Sequence, residues 1–503
     1  MNDETLDPQE NRIDEDIFDV PSMPADVAEE PAEPETQRRG LSFVAWFVII
    51  LVAGTVVFLQ HGTAPPKQEK AEGEQTQESL QLYMMELQGK YLVGVAQLDE
   101  NQKKTLYQSA GPMNSGPVVN RLRFVVLAGE LMGPKESLTQ LATLQDKLKK
   151  SKREVGEIQQ QLAVLYRDYD KGKWTAPSLD QEQKNQLIAE LGWYGRLALT
   201  PKQAKLPERD SVIDATKWTV VTFIGITLAA LVVGFSGFSA LVIFGVCLFR
   251  GRIQFQFINQ TNVGGIYAET FAVWMVLFLG LSVIASLAGW NEGALILMAG
   301  VFLLSLFAFA WPIARGISWA QVRKDIGWTM GKNPLIEVAC GIATYVSTLP
   351  VLVLSTFVTI FLAGLQSAIV GGPTDEFEAA GLPAHPIVHR IADAGWDLKL
   401  QIMLLACVAA PIVEETMFRG VLYRHLRDAS RKMRLSASII FSIVINAFVF
   451  AVIHPQSLVA VPALMTLAAG FTIAREWRSS LIASMVAHGM NNGVVMLMLF
   501  TLL

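Results

Sequence analysis

Residues 401–422 read QIMLLACVAAPIVEETMFRGVL. The run is long and apolar enough to cross a bilayer core, which takes about 20 such residues in a helix. It nevertheless carries Glu414, Glu415 and Arg419 in its second half. Ionisable groups inside a membrane are costly, so they pair with one another or line a working cavity. Two more polar clusters follow in the next apolar runs: Phe450-Ala451-Val452-Ile453-His454, then His488-Gly489-Met490-Asn491-Asn492. Runs of this length satisfy their backbone polar groups in lipid as helices. The expected fold is therefore all-α: a polytopic membrane helical bundle, joined to an extramembrane helical domain and a disordered acidic N-terminal tail.

Working outward, the apolar runs after Trp218 predict spans at 218–249, 266–289, 293–312, 336–363, 398–422, 436–454, 458–474 and 480–502. The first is longer than a bilayer core needs, and Gly234-Phe235-Ser236-Gly237 could fold it into a hairpin; a single tilted span is preferred. Residues 41–60 form a further, N-terminal anchor preceded by Arg38 and Arg39. Arg and Lys cluster after the spans ending at 249, 312, 422 and 474, which assigns those connections to the cytoplasm. His425 belongs to this basic set and is expected among lipid headgroups. Glu269 is read as the charge at the edge of its span. His385 and His389 fall in a connecting stretch, 383–396, read as an amphipathic surface segment.

The whole chain has 503 residues, 51% hydrophobic and 17% charged, with a net charge of −5. That balance fits a membrane protein with soluble parts. Residues 1–40 hold thirteen Asp and Glu against three Arg, with five Pro; such a segment buries too little apolar surface to offset chain entropy. Residues 61–217 are polar and helical in pattern. Leu141, Leu144, Leu148, Ser151, Val155, Ile158, Leu162 and Leu165 alternate steps of three and four, a seam for an antiparallel pair or a coiled coil. A protein partner or self-association through 136–168 is an expectation of that seam. The domains expected are thus 1–40 tail, 41–60 anchor, 61–217 extramembrane domain and 218–503 membrane domain. Cys247, Cys340 and Cys407 are far apart in sequence and read as packing residues. No feature points to nucleic acid; the expected partners are the lipid bilayer and a membrane peptide or protein.

The clusters have distinct internal geometry. Glu415 and Arg419 are four apart and share a helical face, so they can pair. Glu414 points about 100° away and is left to face a cavity. Pro411 removes a helical hydrogen bond just upstream. His454 precedes Pro455 and so stands near a helix end. His488 and Asn492 share a face, and Gly489 and Gly493 allow close approach of a neighbouring chain. Counted from the span ends, however, Glu414, His454 and His488 lie at different depths. At least one span must therefore start beyond the bilayer edge or be broken.

The ordered motifs EExxxR, FxxxH and HxxxN on consecutive C-terminal spans resemble the CPBP family. That family, also called ABI, includes type II CAAX prenyl endopeptidases and bacterial bacteriocin-processing or immunity proteins. Ala410-Pro411-Ile412-Val413 before Glu414, Gly420 after Arg419, and Ser484 before His488 fit the pattern as well. The resemblance is specific over roughly residues 400–495. It implies an intramembrane endopeptidase in a bacterial cell membrane. Glu414 and His454 would activate water, His488 and Asn492 would steady the oxyanion, and Glu415, Arg419 and Phe450 would support the site. The family is often described as metalloprotease, and Glu414, His454 and His488 could hold zinc with an open fourth position; its members also resemble glutamate-dependent proteases with no firmly bound ion, and no HExxH spacing here supports zinc independently. The rival expectation is a scaffold, immunity factor or transporter that keeps the clusters for packing.

Overall fold

The computed structural model describes residues 40–61, 67–253, 255, 263–287, 294–370, 395–454 and 458–502. The acidic tail, the stretch holding His385 and His389, and Pro455 lie outside them. Among the described residues all regular structure is helical. Nine of these helices are long and apolar enough to cross a membrane, the eight downstream spans and the N-terminal anchor expected from sequence.

By contact density the chain divides into two compact units. The first joins α1 (Ser42–His61) to most of the chain after Val232. Its spans are the later part of α9 (Glu208–Phe249), then α10 (Gly264–Leu287) and α11 (Ala294–Ser305). They continue with α13 (Pro334–Val370), α14 (Trp396–Ala429), α15 (Leu435–Ile453), α16 (Val461–Arg478) and α17 (Ile482–Leu502). The short amphipathic α12 (Trp319–Ile326) is capped by the Ser318 hydroxyl, which accepts from the Gln321 amide.

The second unit is built on Lys67–Leu231. It contains α2 (Lys67–Leu98), α3 (Lys103–Ser109), α4 (Val118–Met132), α5 (Pro134–Lys150), α6 (Glu157–Asp170), α7 (Gln181–Leu191) and α8 (Trp193–Leu199). The alternating seam is an antiparallel pair and not one continuous coil. A turn after Ser151, with Lys152 at φ 54°, separates α5 from α6. Leu141, Leu144, Leu148, Leu162 and Leu165 are all buried in this unit's own core.

α9 is one unbroken helix of 42 residues, so the long first run does not fold into a hairpin. At 1.5 Å per residue it is about 63 Å long, roughly twice a bilayer core. The division between units falls inside it. Gly237 permits a close crossing: a Cβ there would stand 2.4 Å from the Val346 carbonyl oxygen of α13.

Much of the basic set at the span ends is turned inward. Arg427 pairs with Glu476, Arg478 with Glu337, and Arg315 with Glu269. His425 is also buried, contrary to its expected place among headgroups. Its Nε2 accepts from the Trp46 indole at 2.9 Å and its Nδ1 donates to the Gly264 carbonyl at 2.8 Å. Trp46 belongs to α1, so His425 ties the N-terminal anchor to the bundle. Glu269 helps: its carboxylate also accepts from the Leu41 amide at 2.6 Å. Arg250, Arg252, Arg323, Lys324, Lys332, Arg431, Lys432 and Arg434 remain exposed.

Candidate active site

α14 carries the first cluster and is not a regular helix. It changes to π-helix at Leu405–Ala409, returns to α-helix at Ala410–Glu415, and is π-helical again at Thr416–Leu422. The first change follows from Pro411. The Ala410 amide reaches back five residues to the Leu405 carbonyl. The Ala406 carbonyl thereby loses its α-helical donor, and the residue five ahead of it is a proline with no N–H. Asn492 of α17 supplies the missing donor, its Nδ2 lying 2.7 Å from the Ala406 oxygen. Such π-segments occur preferentially at functional positions. At the second one, Tyr423 N–H reaches the Phe418 carbonyl, and buried Asn446 of α15 donates to the same oxygen at 2.7 Å.

Between the two π-segments stand Glu414 and Glu415, with different partners. Glu415 is fully buried, and its Oε1 accepts from Arg419 at 3.0 Å and from His488 Nδ1 at 2.8 Å. The Arg419 pair is the one the four-residue spacing predicts; the bond to His488 spans 73 residues and is invisible to local pattern. Arg419 also donates to the Ala468 carbonyl at 3.2 Å and lies 4.4 Å over the Phe450 ring. Burying this charge is tolerable because a carboxylate, a carbonyl and an aromatic face meet it.

Glu414 has no such closure. Its Oε2 is buried and makes no hydrogen bond. His454 Nε2 lies 3.6 Å from it and His488 Nε2 lies 3.9 Å away. The three side chains named from sequence therefore face one another. His454 is the C-cap of α15, with extended backbone (φ −72°, ψ 145°). Its Nδ1 donates to the Phe450 carbonyl at 2.6 Å, which turns the Nε2 edge of the ring towards Glu414. Its ring packs 4.0 Å from that of Phe450. His488 stacks on Phe471 at 5.1 Å and 18°, and the Ser484 hydroxyl donates to the Phe471 carbonyl at 3.1 Å.

The disagreement in depth resolves in the turn between α16 and α17. Ser480 and Leu481 are buried. The Leu481 amide donates to the Gly327 carbonyl at 3.1 Å and the Ser480 hydroxyl to the Thr329 carbonyl at 2.9 Å. α17 thus begins within the protein, tied to the chain just after α12. His488, early in α17, comes within 3.9 Å of Glu414. Gly489 lets α17 approach α14: a Cβ there would come 2.8 Å from the Cys407 carbonyl.

Asn446, Phe471 and Trp328, whose indole donates to Thr416 at 2.9 Å, are neighbours that the sequence reading did not single out. The signal for Asn446 was available, since it is a lone carboxamide in an apolar span. Glu414, His454 and His488 are donor types that zinc accepts. Among the described residues, however, no group of three or more His, Cys, Asp or Glu side chains is arranged to hold a metal ion.

Comparison with known proteins bears on the same segment. Neither the comparison with curated proteins nor that with solved structures found a match. Residues 396–494 match the family model described as type II CAAX prenyl endopeptidase Rce1-like. The segment that brings Glu414, His454 and His488 together is thus similar to type II CAAX prenyl endopeptidases, in line with the resemblance to the CPBP family.

Proposed function

We propose that the protein is an intramembrane endopeptidase that hydrolyses a peptide bond in a membrane-associated or lipidated segment. The family match supports a membrane endopeptidase at family level. The observation that carries the finer reading is one buried carboxylate oxygen facing two imidazole Nε2 atoms at 3.6 and 3.9 Å. Polar contacts beyond about 3.5 Å are ones a water can enter, here with a small opening of the three side chains. A water there donates one hydrogen to Glu414 and the other to His454 Nε2. Its oxygen attacks the scissile carbonyl carbon as Glu414 takes a proton.

The carbonyl becomes a tetrahedral oxyanion. Glu415 accepts from His488 Nδ1 and so aims the Nε2 edge of the ring at the site, where the doubly protonated ring can offer an Nε2–H. That donor, with the remaining amide proton of Asn492, steadies the oxyanion. Collapse breaks the C–N bond. The proton held by Glu414 passes to the leaving amine, giving a carboxylic acid and an amine.

The test compares membrane peptides in cells carrying the wild-type chain or Glu414→Ala, followed by cleavage of a candidate peptide by purified protein in vesicles. Loss of the same cleavage in both settings is expected. Unchanged peptides and unchanged cleavage would leave a scaffold or transporter as the better reading. Activity that survives exhaustive chelation supports water activation by side chains alone. Activity that is lost to a chelator and restored by zinc would assign the step to an ion.

A further inference from the structure

A second cavity in the membrane unit lies on the opposite side of α16 from the catalytic cluster. Phe471 of α16 stacks on His488, and the Ala468 carbonyl holds Arg419. The neighbouring residues Ala469, Gly470 and Ile473 instead line a cleft closed by α9 and α13. Its volume is about 460 Å³, within the range of lipid- and drug-sized sites. Small side chains make the space: Ala240 on α9, Ala343 on α13 and Ala469 on α16. The tight crossing of α9 and α13 at Gly237 lies about one turn from Ala240, at Val346 and Pro350 between the lining residues Ala343 and Val351.

The cleft is apolar even where its residues are not. Thr344, Ser347 and Thr348 line it, yet each hydroxyl donates to a carbonyl of its own helix, at 2.8, 2.5 and 2.8 Å. Thr466 likewise donates to the Pro462 carbonyl at 3.0 Å, so among these lining side chains the donor left without a partner is the buried Trp477 indole N–H at one end. The shape is also selective. From Met465 to Trp477 the wall on α16 runs about 18 Å at 1.5 Å per residue. That is close to one leaflet, half of a core about 30 Å thick. The volume spread over this length gives a cross-section of about 25 Å², narrow against a helix about 10–12 Å across.

Charge marks one end. α9 finishes at Phe249 and is followed by exposed Arg250 and Arg252, two to three turns beyond the cleft residues Ile243 and Phe244. Trp477 stands at the same end, as interfacial aromatic residues do. The acidic surface of a cytoplasmic leaflet is the natural complement of two exposed arginines. We propose that this cleft holds one acyl chain of an anionic phospholipid from the cytoplasmic leaflet, with its phosphate on Arg250 and Arg252.

The full-length protein in phosphatidylcholine vesicles tests this, with a share of the lipid replaced by chain-brominated phosphatidylglycerol or chain-brominated phosphatidylcholine. Bromine quenches nearby indoles, and the contribution of Trp477 is the difference between wild type and Trp477→Phe. Brominated phosphatidylglycerol should remove more than half of that contribution, and brominated phosphatidylcholine at equal mole fraction clearly less. Ala240→Phe should restore the emission by filling the cleft; Ala343→Leu does the same from the facing helix should the first variant fold poorly. Arg250→Glu/Arg252→Glu should erase the difference between the two lipids. Quenching unaltered by both filling variants would mean ordinary surrounding lipid and would overturn the proposal. So would a lipid preference that survives loss of both arginines, or an unquenched Trp477 in a protein that cross-links to a second copy.

Discussion

Two groups of buried charges share the membrane unit and differ in closure. Around Glu476 the partners complete one another: Tyr423 donates at 2.6 Å, and Arg427 donates to both carboxylate oxygens at 3.3 Å. Glu337 and Arg478 form a similar two-point pair at 2.8 and 3.1 Å. Around Glu414 the nearest cationic or neutral nitrogens stay at 3.6 and 3.9 Å, and Oε2 accepts no hydrogen bond. Single unpartnered atoms also occur at Glu415 Oε2 and Arg478 Nη1, but each of those side chains is held by a charged partner within hydrogen-bond distance, which Glu414 is not. The closed group locks helices. The open one keeps a carboxylate available to water and substrate.

The largest effect expected from this contrast is on catalysis. Glu414→Gln keeps the shape and removes the base. Peptide cleavage in vesicles should fall by about 10²–10⁴-fold, the usual contribution of general base catalysis, with the melting transition in detergent little changed. For the same reason wild-type cleavage should fall at low pH, where a carboxylate takes up a proton and stops acting as a base. The double variant Glu414→Ala/His454→Ala should be scarcely worse than either single variant, because two groups acting on one water are not additive. A variant that cleaves near the wild-type rate without both groups would remove the distinction between open and closed sites.

Glu476→Ala should show the reverse. It strands Arg427 in the protein interior, a loss of about 3–5 kcal/mol. Yield and melting should drop while cleavage per folded molecule persists. Glu415 sits between the two behaviours. It pairs with buried Arg419 and also holds His488, so Glu415→Ala should lower both stability and cleavage. Comparing detergent-extracted yield, melting and turnover for Glu414→Ala, Glu415→Ala and Glu476→Ala would break the scheme if Glu414→Ala proved the least stable.

What the sequence revealed follows the range of the interactions. The Glu415–Arg419 pair and the separate direction of Glu414 are one helical turn apart, so 3.6-residue geometry exposes them. The spans are equally legible, because bilayer thickness fixes their length. The exchange of Asn492 with the Ala406 carbonyl was half visible: Pro411 signalled a disturbed helix, but not which residue would mend it. The contacts of Glu415 with His488, Tyr423 with Glu476 and His425 with Trp46 join helices 53 to 379 residues apart. Nothing in local pattern reports such pairings. That is why the basic residues read as a cytoplasmic set include several that are internal partners.

The smallest effect separates the members of the closed group. Tyr423→Phe removes one hydrogen bond to the Glu476 carboxylate but leaves Arg427 in place, so no charge is stranded. A hydrogen bond to a charged group contributes about 1.5–3 kcal/mol, less than the loss expected for Glu476→Ala. Melting of Tyr423→Phe, Glu476→Ala and the double variant forms a cycle. With Glu476 already gone, the phenol hydroxyl has lost its acceptor, so the second substitution should cost little or even relieve an unsatisfied group. Turnover should be unchanged in Tyr423→Phe, since the hydroxyl it removes is bonded to Glu476 and not to the carboxylate that serves as the base. Additive losses in the cycle would mean that Tyr423 acts through packing alone. A fall in turnover without a fall in stability would instead tie the closed group to catalysis and blur the boundary between the two.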